Sequence, residues 1–350
     1  MRVFDIQGDT GHSTILIGER LQALSKYVQT EQLVIITDSN VRDIYQKDFP
    51  PGDVIEIGTG ENIKNLDTVR FLYESLMKLE ADRSSFIVGI GGGIVCDITG
   101  FVASTYLRGV RFGFVSSTLL SQVDASVGGK NGVNFSGYKN MVGVFNQPEF
   151  VICDMNLLKT LPIKERQNGF SEIVKHAALG DTELFSYLEK HYQKAIDLDA
   201  ATIENLVYNS VSIKSSIVNL DEKETGERRK LNFGHTFGHA FEKTRGVPHG
   251  EAVSVGMVVA SELSVKKGYL SLEDGKRIEK LLQALKLPTR FPFDGERVLG
   301  ALRKDKKREG DEIYFVFLQG IGRAAVKKIS MVDLEAMANE TFGRSRTGIS

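Results

Sequence analysis

The first part of the chain alternates short apolar runs with helical patterns, and this alternation limits the possible folds more than any other feature. Six runs of mostly β-branched or aromatic residues precede residue 160: HSTILIG, QLVIITDS, DVIEIG, SSFIVGIG, RFGFVSS and EFVICDM. Several are apolar on both faces, as parallel strands covered by helices are. Between them, NIKNLDTVRFLYESLMKL has apolar residues at helical spacing. The pattern predicts an α/β fold with a doubly wound, Rossmann-like N-terminal domain.

Beyond residue 158 the pattern changes, and helical periodicity dominates in segments such as ATIENLVYNSVSIKSSIVNL and GEAVSVGMVVASELSVKKG. We therefore predict an α/β domain over residues 1–158 and a mostly α-helical domain over residues 159–350. Near the end of the chain, EIYFVFLQGIGRAAVKKI predicts two strands around a glycine turn.

Composition and charge exclude several classes of protein. The 44 Lys and Arg residues nearly balance the 45 Asp and Glu residues, so the net charge of -1 offers no general attraction to nucleic acid. The N-terminus lacks a signal-peptide pattern, and no apolar run reaches the ~18 residues of a membrane span. Cys96 and Cys153 lie in apolar runs and are predicted to be buried and unpaired. We expect a cytoplasmic protein that binds neither nucleic acid nor membrane.

Two glycine-rich segments are candidate ligand sites. In SSFIVGIGGGIVCDITGF, a predicted strand ends in three glycines and leads into a helix. Backbone N–H groups there could bind a diphosphate, although a tight strand-to-helix turn explains the same pattern. The segment SSTLLSQVDASVGGKNGVNFSGYKN has no clear period, and long irregular loops are usually functional, the alternative being a solvated surface loop. Its polar side chains include Ser117, Thr118, Asp124, Lys130 and Lys139.

Three of the six histidines lie within LNFGHTFGHAFEKTRGVPHGE. If FGHTFGHAFEK is helical, His235 and His239 share one face, and His249 begins the next helix. Imidazoles are good zinc ligands, and a catalytic zinc takes about three protein ligands plus an open position. Glu172, in the largely apolar segment FSEIVKH, is a candidate carboxylate ligand. The cluster predicts a metal site, the alternative being histidines that are satisfied in the core.

Cationic residues accompany this cluster. Lys175 follows Glu172 by one helical turn, and Arg228 precedes His235 by seven residues, with Lys214 further upstream. Most of the charged run LDEKETGERRK fits a solvated face. A cationic rim around a metal nevertheless suits an anionic substrate that carries phosphate and carboxylate groups.

An ordered set of motifs resembles the 3-dehydroquinate synthases of the sugar-phosphate cyclase family. The motifs are GGGIVCDITGF, STYLRG, STLLSQVDASVGGK, KNMVGVFNQP, LKTLP, SEIVKH, LNFGHTFGHAFE, HGEAV and DKK, and the resemblance covers residues 34–326. It implies a dehydroquinate synthase-like fold whose helical C-terminal domain binds a metal. It also implies bound NAD and one divalent metal, zinc or cobalt, in each subunit.

The resemblance also implies roles for individual residues. The metal ligands are Glu172, His235 and His249, whereas His239 contacts the substrate. The NAD-binding positions are Asp38, Asn40, Glu61, Lys64, Gly92, Gly93, Ile94, Asp97, Ser117, Thr118, Asp124, Lys130, Lys139 and Thr160. The substrate-binding positions are Asp124, Lys130, Lys139, Asn140, Lys175, Lys214, Arg228, Asn232, His239 and Lys306. Those implied in catalysis are Lys130, Lys175, Lys214, Arg228, Asn232 and His239. Arg108 matches an arginine that family members lend to the partner subunit's site, which implies a homodimer.

The reaction that the resemblance implies belongs to the shikimate pathway of aromatic amino acid biosynthesis. It converts 3-deoxy-D-arabino-heptulosonate 7-phosphate, an anionic sugar acid phosphate, to 3-dehydroquinate and phosphate. NAD oxidises a ring hydroxyl and later returns the hydride, so it is regenerated in each turnover. Phosphate elimination falls between these two steps, and ring opening with an intramolecular aldol closure completes the product.

Three other functions are compatible with parts of this sequence. A sister cyclase that acts on sedoheptulose 7-phosphate would share the fold and the metal site, but Arg228, Asn232 and His239 keep the dehydroquinate-type identity. A metal-dependent polyol dehydrogenase would not need so many lysines, and a non-catalytic NAD-binding regulator would have lost metal ligands. One departure is Asn131, which stands in GGKN where the family commonly has threonine.

Overall fold

The computed structural model describes residues 1–292, 295–303 and 308–343. The chain divides into two compact units. The first comprises Met1–Arg166 and Ile203–Lys223, and the second comprises Gln167–Thr202 and the chain from Glu224 onward. No helix within the described ranges is both long and apolar enough to cross a membrane.

The helices are distributed over both units. They are α1 (Ser39–Tyr45), α2 (Leu66–Lys78), α3 (Gly93–Thr105), α4 (Ile163–Gly180), α5 (Thr182–Ile196), α6 (Ala200–Leu220), α7 (His235–Arg245), α8 (His249–Lys266), α9 (Leu272–Ala284), α10 (Gly295–Leu302) and α11 (Met331–Gly343).

The strands form separate sheets in the two units. Those of the first unit are β1 (Arg2–Gly8), β2 (Gly11–Ile17), β3 (Leu33–Asp38), β4 (Asp53–Ile57), β5 (Phe86–Gly91), β6 (Arg111–Ser116), β7 (Lys130–Phe135), β8 (Tyr138–Phe145) and β9 (Phe150–Cys153). Those of the second unit are β10 (Arg308–Glu309), β11 (Glu312–Leu318) and β12 (Ala324–Ser330), which form an antiparallel sheet. The predicted pair of strands near the end of the chain is confirmed by β11 and β12.

The six strands predicted from the apolar runs form one largely parallel sheet. The order is β1-β2-β9-β6-β5-β3-β4, and β1 alone runs antiparallel to its neighbour in this sheet of the first unit. Strands β5 and β9 are buried at every position, which explains their continuous apolar sequences. Cys96 and Cys153 are free and buried, as predicted.

The direction in which the strands are added reverses between β3 and β5. The chain places β4 on one side of β3 and then β5 and β6 on the other. In sheets of this kind, ligands bind beyond the carboxyl ends of the strands at the point of reversal. Thr37, which pairs with Ile90, donates a hydrogen bond of 2.8 Å to the carbonyl oxygen of Ile90. Asp38 and the glycine turn after β5 therefore leave the sheet side by side.

Residues 203–223, which the sequence analysis assigns to the second domain, cluster with the first unit. Tyr208 of α6 packs on β1, with its ring centroid 4.7 Å from that of Phe4. The guanidinium carbon of Arg2 lies 4.3 Å from the same ring of Tyr208. These contacts attach the helix to the edge strand of the sheet.

The glycine-rich segment that was expected to be one irregular loop contains a hairpin, so this expectation was wrong in part. After a short π-helical turn at Ser121–Ala125, β7 and β8 pair antiparallel from Lys130–Phe145 to Phe135–Tyr138. Two glycines, Gly132 and Gly143, face each other across the hairpin. Because β8 is largely exposed, its sequence YKNMVGVF lacks the alternation of apolar and polar residues that marks a half-buried strand.

Glycines allow three helices of the second unit to approach closely. A Cβ at Gly256 of α8 would lie 2.0 Å from the carbonyl oxygen of Gly234, which precedes α7. A Cβ at Gly250, at the start of α8, would lie 2.4 Å from the Cα of Asn168 in α4. No side chain fits at either position, so glycine sets the spacing of α4, α7 and α8.

We predict that Gly256→Ala lowers the free energy of unfolding by about 1–3 kcal/mol, because the added methyl group forces α7 and α8 apart. Urea denaturation would measure the change. Gly300→Ala is the matched control, since a Cβ at this helical glycine would meet no atom within 4 Å. It should be neutral or stabilise by up to about 1 kcal/mol. Equal stability of the two variants would contradict the packing argument.

Candidate active-site residues and metal centre

Three helices bring the predicted metal ligands together. Glu172 lies in α4 and is fully buried, while His235 and His249 are the first residues of α7 and α8. The Oε1 atom of Glu172 is 3.7 Å from Nε2 of His235 and 3.5 Å from Nε2 of His249. One ligand atom from each residue lies within 4.8 Å of the others. Two imidazoles and one carboxylate fit a zinc or cobalt ion that keeps an open coordination position.

The outer nitrogen atoms of both histidines have partners that orient the rings. Nδ1 of His235 lies 3.1 Å from the carbonyl oxygen of Phe233, which can only accept, so Nδ1 donates this hydrogen bond and Nε2 faces Glu172. Nδ1 of His249 lies 3.7 Å from Oε2 of Glu242. Partners of this kind fix the ligating nitrogen of a metal-bound histidine.

The electrostatics of the cluster favour a cation. Burial lowers the pKa of His249, but hydrogen bonds to Glu172 and Glu242 outweigh it, and the pKa rises to about 9. The two carboxylates that cause this rise also favour a divalent cation, which would displace the proton from the imidazole on binding. Glu242 was missed in the sequence, although it lies seven residues after His235 and therefore on the same face of α7.

His239 lies next to this triplet and is not one of its three potential ligands. Its ring centroid is 5.3 Å from that of His235, and the two rings meet edge to face at 89°. It is 6.4 Å from the ring centroid of His249. The helical prediction that placed His235 and His239 on one face is confirmed by α7.

Two cationic side chains of the second unit are buried. Both residues lie close in the sequence to the candidate metal ligands. Lys175, one turn after Glu172, forms an ion pair with Oε2 of that carboxylate and is 1% exposed. Arg228, in the short 3-10 helix Glu227–Asn232, is 2% exposed. Asn232 donates a hydrogen bond to Glu224, a residue that the sequence analysis did not select. Lys306 lies outside the described residues.

In the first unit, the glycine turn opens α3. Gly92 precedes the helix without a side-chain cap, so backbone N–H groups of the first turn, including that of Ile94, can bind an anion. A Cβ at Gly92 would lie 3.0 Å from Cγ2 of Thr118, and a Cβ at Gly93 would lie 2.8 Å from Cβ of Ala125. The segment that follows β6 therefore approaches the turn closely.

Five other predicted residues meet where the β7–β8 hairpin reaches α3. Lys64 forms an ion pair with Asp97 and donates a 2.6 Å hydrogen bond to Oδ1 of Asn140. Glu61 lies 3.7 Å from Nζ of Lys139. Burial raises the pKa of Asp97, and the Lys64 ammonium opposes this rise.

Asn134, which sequence analysis missed, links the same group. Its side-chain amide donates to Glu61 at 2.8 Å, and its Oδ1 atom accepts from the backbone N–H of Asn140 at 2.9 Å. The backbone N–H of Asn134 also donates to the carbonyl oxygen of Lys64 at 2.8 Å. Because these contacts join distant segments, no local sequence pattern signals them.

The remaining predicted residues occupy separate positions in the first unit. Asp38 caps α1 by accepting from the backbone N–H of Val41 at 3.0 Å, and Asn40 lies within that helix. Lys214 of α6 forms an ion pair with Asp124 and is 6% exposed. The hydroxyl of Thr160 lies 2.6 Å from that of Tyr45. Lys130 begins β7 and is exposed, and Ser117 donates its backbone N–H to Gly91 at 2.8 Å.

The side chain of Asn131, which stands in GGKN where the family commonly has threonine, is buried. It is 5% exposed, and its side-chain amide donates to the carbonyl oxygens of Gly129 at 3.0 Å and Asn146 at 2.8 Å. The asparagine therefore stabilises the base of the β7–β8 hairpin through backbone contacts.

We predict that Glu242→Gln weakens metal binding about 10–100-fold, because the neutral amide no longer supports His249 electrostatically. Competition with a chromogenic chelator would give the Kd for zinc. Glu251→Gln, in the first turn of the same helix as His249, is the control and should leave the Kd unchanged. An unaltered Kd in Glu242→Gln would show that the carboxylate has no such role.

Comparison with known proteins gives matches over both units. The model of the 3-dehydroquinate synthase N-terminal domain matches residues 54–168, and that of the C-terminal domain matches residues 169–308. The 3-dehydroquinate synthase of Acinetobacter baylyi is 38% identical, over 93% of this chain and 95% of the relative. That of Acetivibrio thermocellus is 42% identical, over 82% of this chain and 83% of the relative.

Solved structures show the same fold. A 2-deoxy-scyllo-inosose synthase in complex with carbaglucose-6-phosphate, NAD+ and Co2+ has a TM-score of 0.87 and 25% identity, covering 97% of this chain and all of that one. A 2-epi-5-epi-valiolone synthase from Streptomyces hygroscopicus with NAD+ and Zn2+ has a TM-score of 0.86 and 25% identity, covering 98% of this chain and all of that one. A probable glycerol dehydrogenase from Sinorhizobium meliloti, at 15% identity, shares the fold alone. The sequence matches over both units show that this chain belongs to the 3-dehydroquinate synthase family.

Proposed function

We propose that this protein is a 3-dehydroquinate synthase, which converts 3-deoxy-D-arabino-heptulosonate 7-phosphate to 3-dehydroquinate and phosphate. The observation that carries the proposal is the complete triplet of Glu172, His235 and His249 in a chain that belongs to this family. Four relatives named 3-dehydroquinate synthase are 37–42% identical in sequence to the chain, whereas the two sister cyclases are 25% identical.

The proposal includes NAD and one divalent metal, zinc or cobalt, in each subunit, since solved relatives contain both. When bound, the metal would polarise a substrate hydroxyl, and NAD would exchange a hydride with the carbon that bears this hydroxyl. Glu172, His235 and His249 would hold the metal. The geometry of Glu172 supports this role, because its Oε1 atom lies within 4 Å of Nε2 of both histidines, while Lys175 pairs with its Oε2 atom.

The first unit would hold NAD. The turn at Gly92, Gly93 and Ile94 offers N–H groups to the diphosphate, and Asp38 with Asn40 would contact the adenosine end, at the neighbouring strand. The other residues that we assign to this cofactor are Glu61, Lys64, Asp97, Ser117, Thr118, Asp124, Lys130, Lys139 and Thr160.

The substrate residues would bind and orient an anion. Arg228, with a buried guanidinium that presents fixed planar donors, suits a carboxylate, and Asn232 with His239 would position the ring hydroxyls. Lys175 and Lys214 form ion pairs with Glu172 and Asp124 and would stabilise negative charge on reacting oxygens. Asp124, Lys130, Lys139 and Asn140 complete the assigned set.

The test is phosphate release from 3-deoxy-D-arabino-heptulosonate 7-phosphate with zinc and substoichiometric NAD. We predict many phosphates released for each NAD, with no lasting NADH absorbance, because the hydride returns in each turnover. Release only from sedoheptulose 7-phosphate would indicate a sister cyclase instead. Steady accumulation of NADH with a polyol would indicate a dehydrogenase.

We further propose that the protein is a homodimer in which Arg108 serves the partner subunit's site. Leu107 and Arg108 both have positive φ, 50° and 69°, and such strain in two consecutive residues is typical of functional segments. Both are exposed, and Phe135 and Met141 of the nearby hairpin are each 49% exposed. Asn146, just after the hairpin, donates to Ser104 at 2.8 Å, which ties the two regions together.

Mixing two inactive variants tests this arrangement. Arg108→Ala and His235→Ala should each be inactive, because one lacks the lent arginine and the other lacks a metal ligand. After subunit exchange, one site of each heterodimer combines an intact His235 with an intact Arg108, so roughly a quarter of wild-type activity should return. If no activity returned although exchange had occurred, Arg108 would not act across the interface.

A further inference from the structure

Glu222 forms a buried hydrogen-bond network that includes none of the residues assigned above to catalysis or binding. It follows α6, is 8% exposed, and lies two residues before the chain enters the second unit. Its carboxylate accepts from the backbone N–H of Thr10 at 3.2 Å, the hydroxyl of Thr10 at 2.5 Å and Nε2 of Gln147 at 2.7 Å. A Cβ at Gly8 would lie 2.2 Å from this carboxylate.

The carboxylate of Glu222 is charged. Burial raises the pKa of Glu222, but hydrogen bonds from Thr10 and Gln147 outweigh it and lower the pKa. The β1–β2 hairpin has a second attachment to the same segment, because the exposed Asn219 accepts from the backbone N–H of Gln7 at 3.0 Å. A charged acceptor fixes the orientation of its amide partner more firmly than a neutral one.

Gln147 also packs against the turn that leads into Lys130. A Cβ at Gly129 would lie 2.7 Å from Nε2 of Gln147, and Gly129 has a φ of +70°. The carbonyl oxygen of Gly129 accepts from the backbone N–H of Asn146 at 2.9 Å and the side chain of Asn131 at 3.0 Å. The peptide that leads into Lys130 is thus restrained by hydrogen bonds from Asn146 and Asn131 and by packing against Gln147.

We infer that Glu222 and Gln147 are positioning residues that hold the Gly128–Gly129 turn and thereby direct Lys130 toward the substrate. Glu222 acts through Gln147, and neither residue needs to contact the substrate. The role of Lys130 in this inference rests on the proposed function, whereas the restraint on the turn does not.

The test compares Glu222→Gln, Gln147→Ala and the double variant with Asn219→Ala as control. Asn219→Ala removes a hydrogen bond between the same α6 segment and the same hairpin but does not involve Gln147. We expect each of the two single variants to raise the KM for 3-deoxy-D-arabino-heptulosonate 7-phosphate by about tenfold, with a smaller change in kcat, because Lys130 is misplaced. The double variant should have the same KM as Gln147→Ala alone, since both changes interrupt the same series of contacts from Glu222 through Gln147 to the turn. The control should keep the wild-type KM.

Hydrogen exchange of the backbone amides in residues 128–131 provides a readout that does not depend on activity. Exchange should be faster in Glu222→Gln and Gln147→Ala than in the wild type and in Asn219→Ala. A lower Tm with wild-type KM and wild-type exchange would overturn the inference and leave Glu222 with a structural role alone. If the wild type released no phosphate, the proposed function would fail, and exchange alone would then decide whether these residues restrain the turn.

Discussion

The close approach of α4, α7 and α8 is the constraint on which the rest of the second unit depends. Glycines at 234, 250 and 256 remove the side chains that would keep these helices apart. Because His235 and His249 begin their helices and Glu172 lies one turn after Asn168, this contact sets the distances among the three ligand atoms. The proposed metal site is therefore a consequence of backbone packing, and the outer partners of the histidines then orient the rings.

The first unit uses a different constraint, the reversal of strand order in a parallel sheet. Asp38 and the glycine turn emerge together because β3 and β5 are hydrogen-bonded neighbours. The β7–β8 hairpin adds the lysines and amides that the sheet itself does not carry, and Lys64 attaches the hairpin to α3 through Asn140 and Asp97.

The sequence predicts the elements whose signal is local. The six strands, the helix of His235 and His239, and the start of α8 at His249 all have the expected pattern. Spacing alone would have grouped His239 with the metal ligands, and the family resemblance was needed to separate it. The edge strand β1 was missed because Ile6 is its only fully buried residue, so no alternation is visible. Glu242, Asn134 and Glu222 were missed because their importance lies in contacts with segments distant in the sequence.

Metal content tests most directly which histidines bind the metal. Zinc would be quantified in purified wild type, His235→Ala and His239→Ala, together with phosphate release by each. The account predicts that His235→Ala loses zinc and turnover together, whereas His239→Ala keeps one zinc per subunit and loses turnover. If His239→Ala also lost its zinc, or His235→Ala retained it, the assignment of Glu172, His235 and His249 as the metal centre would be contradicted.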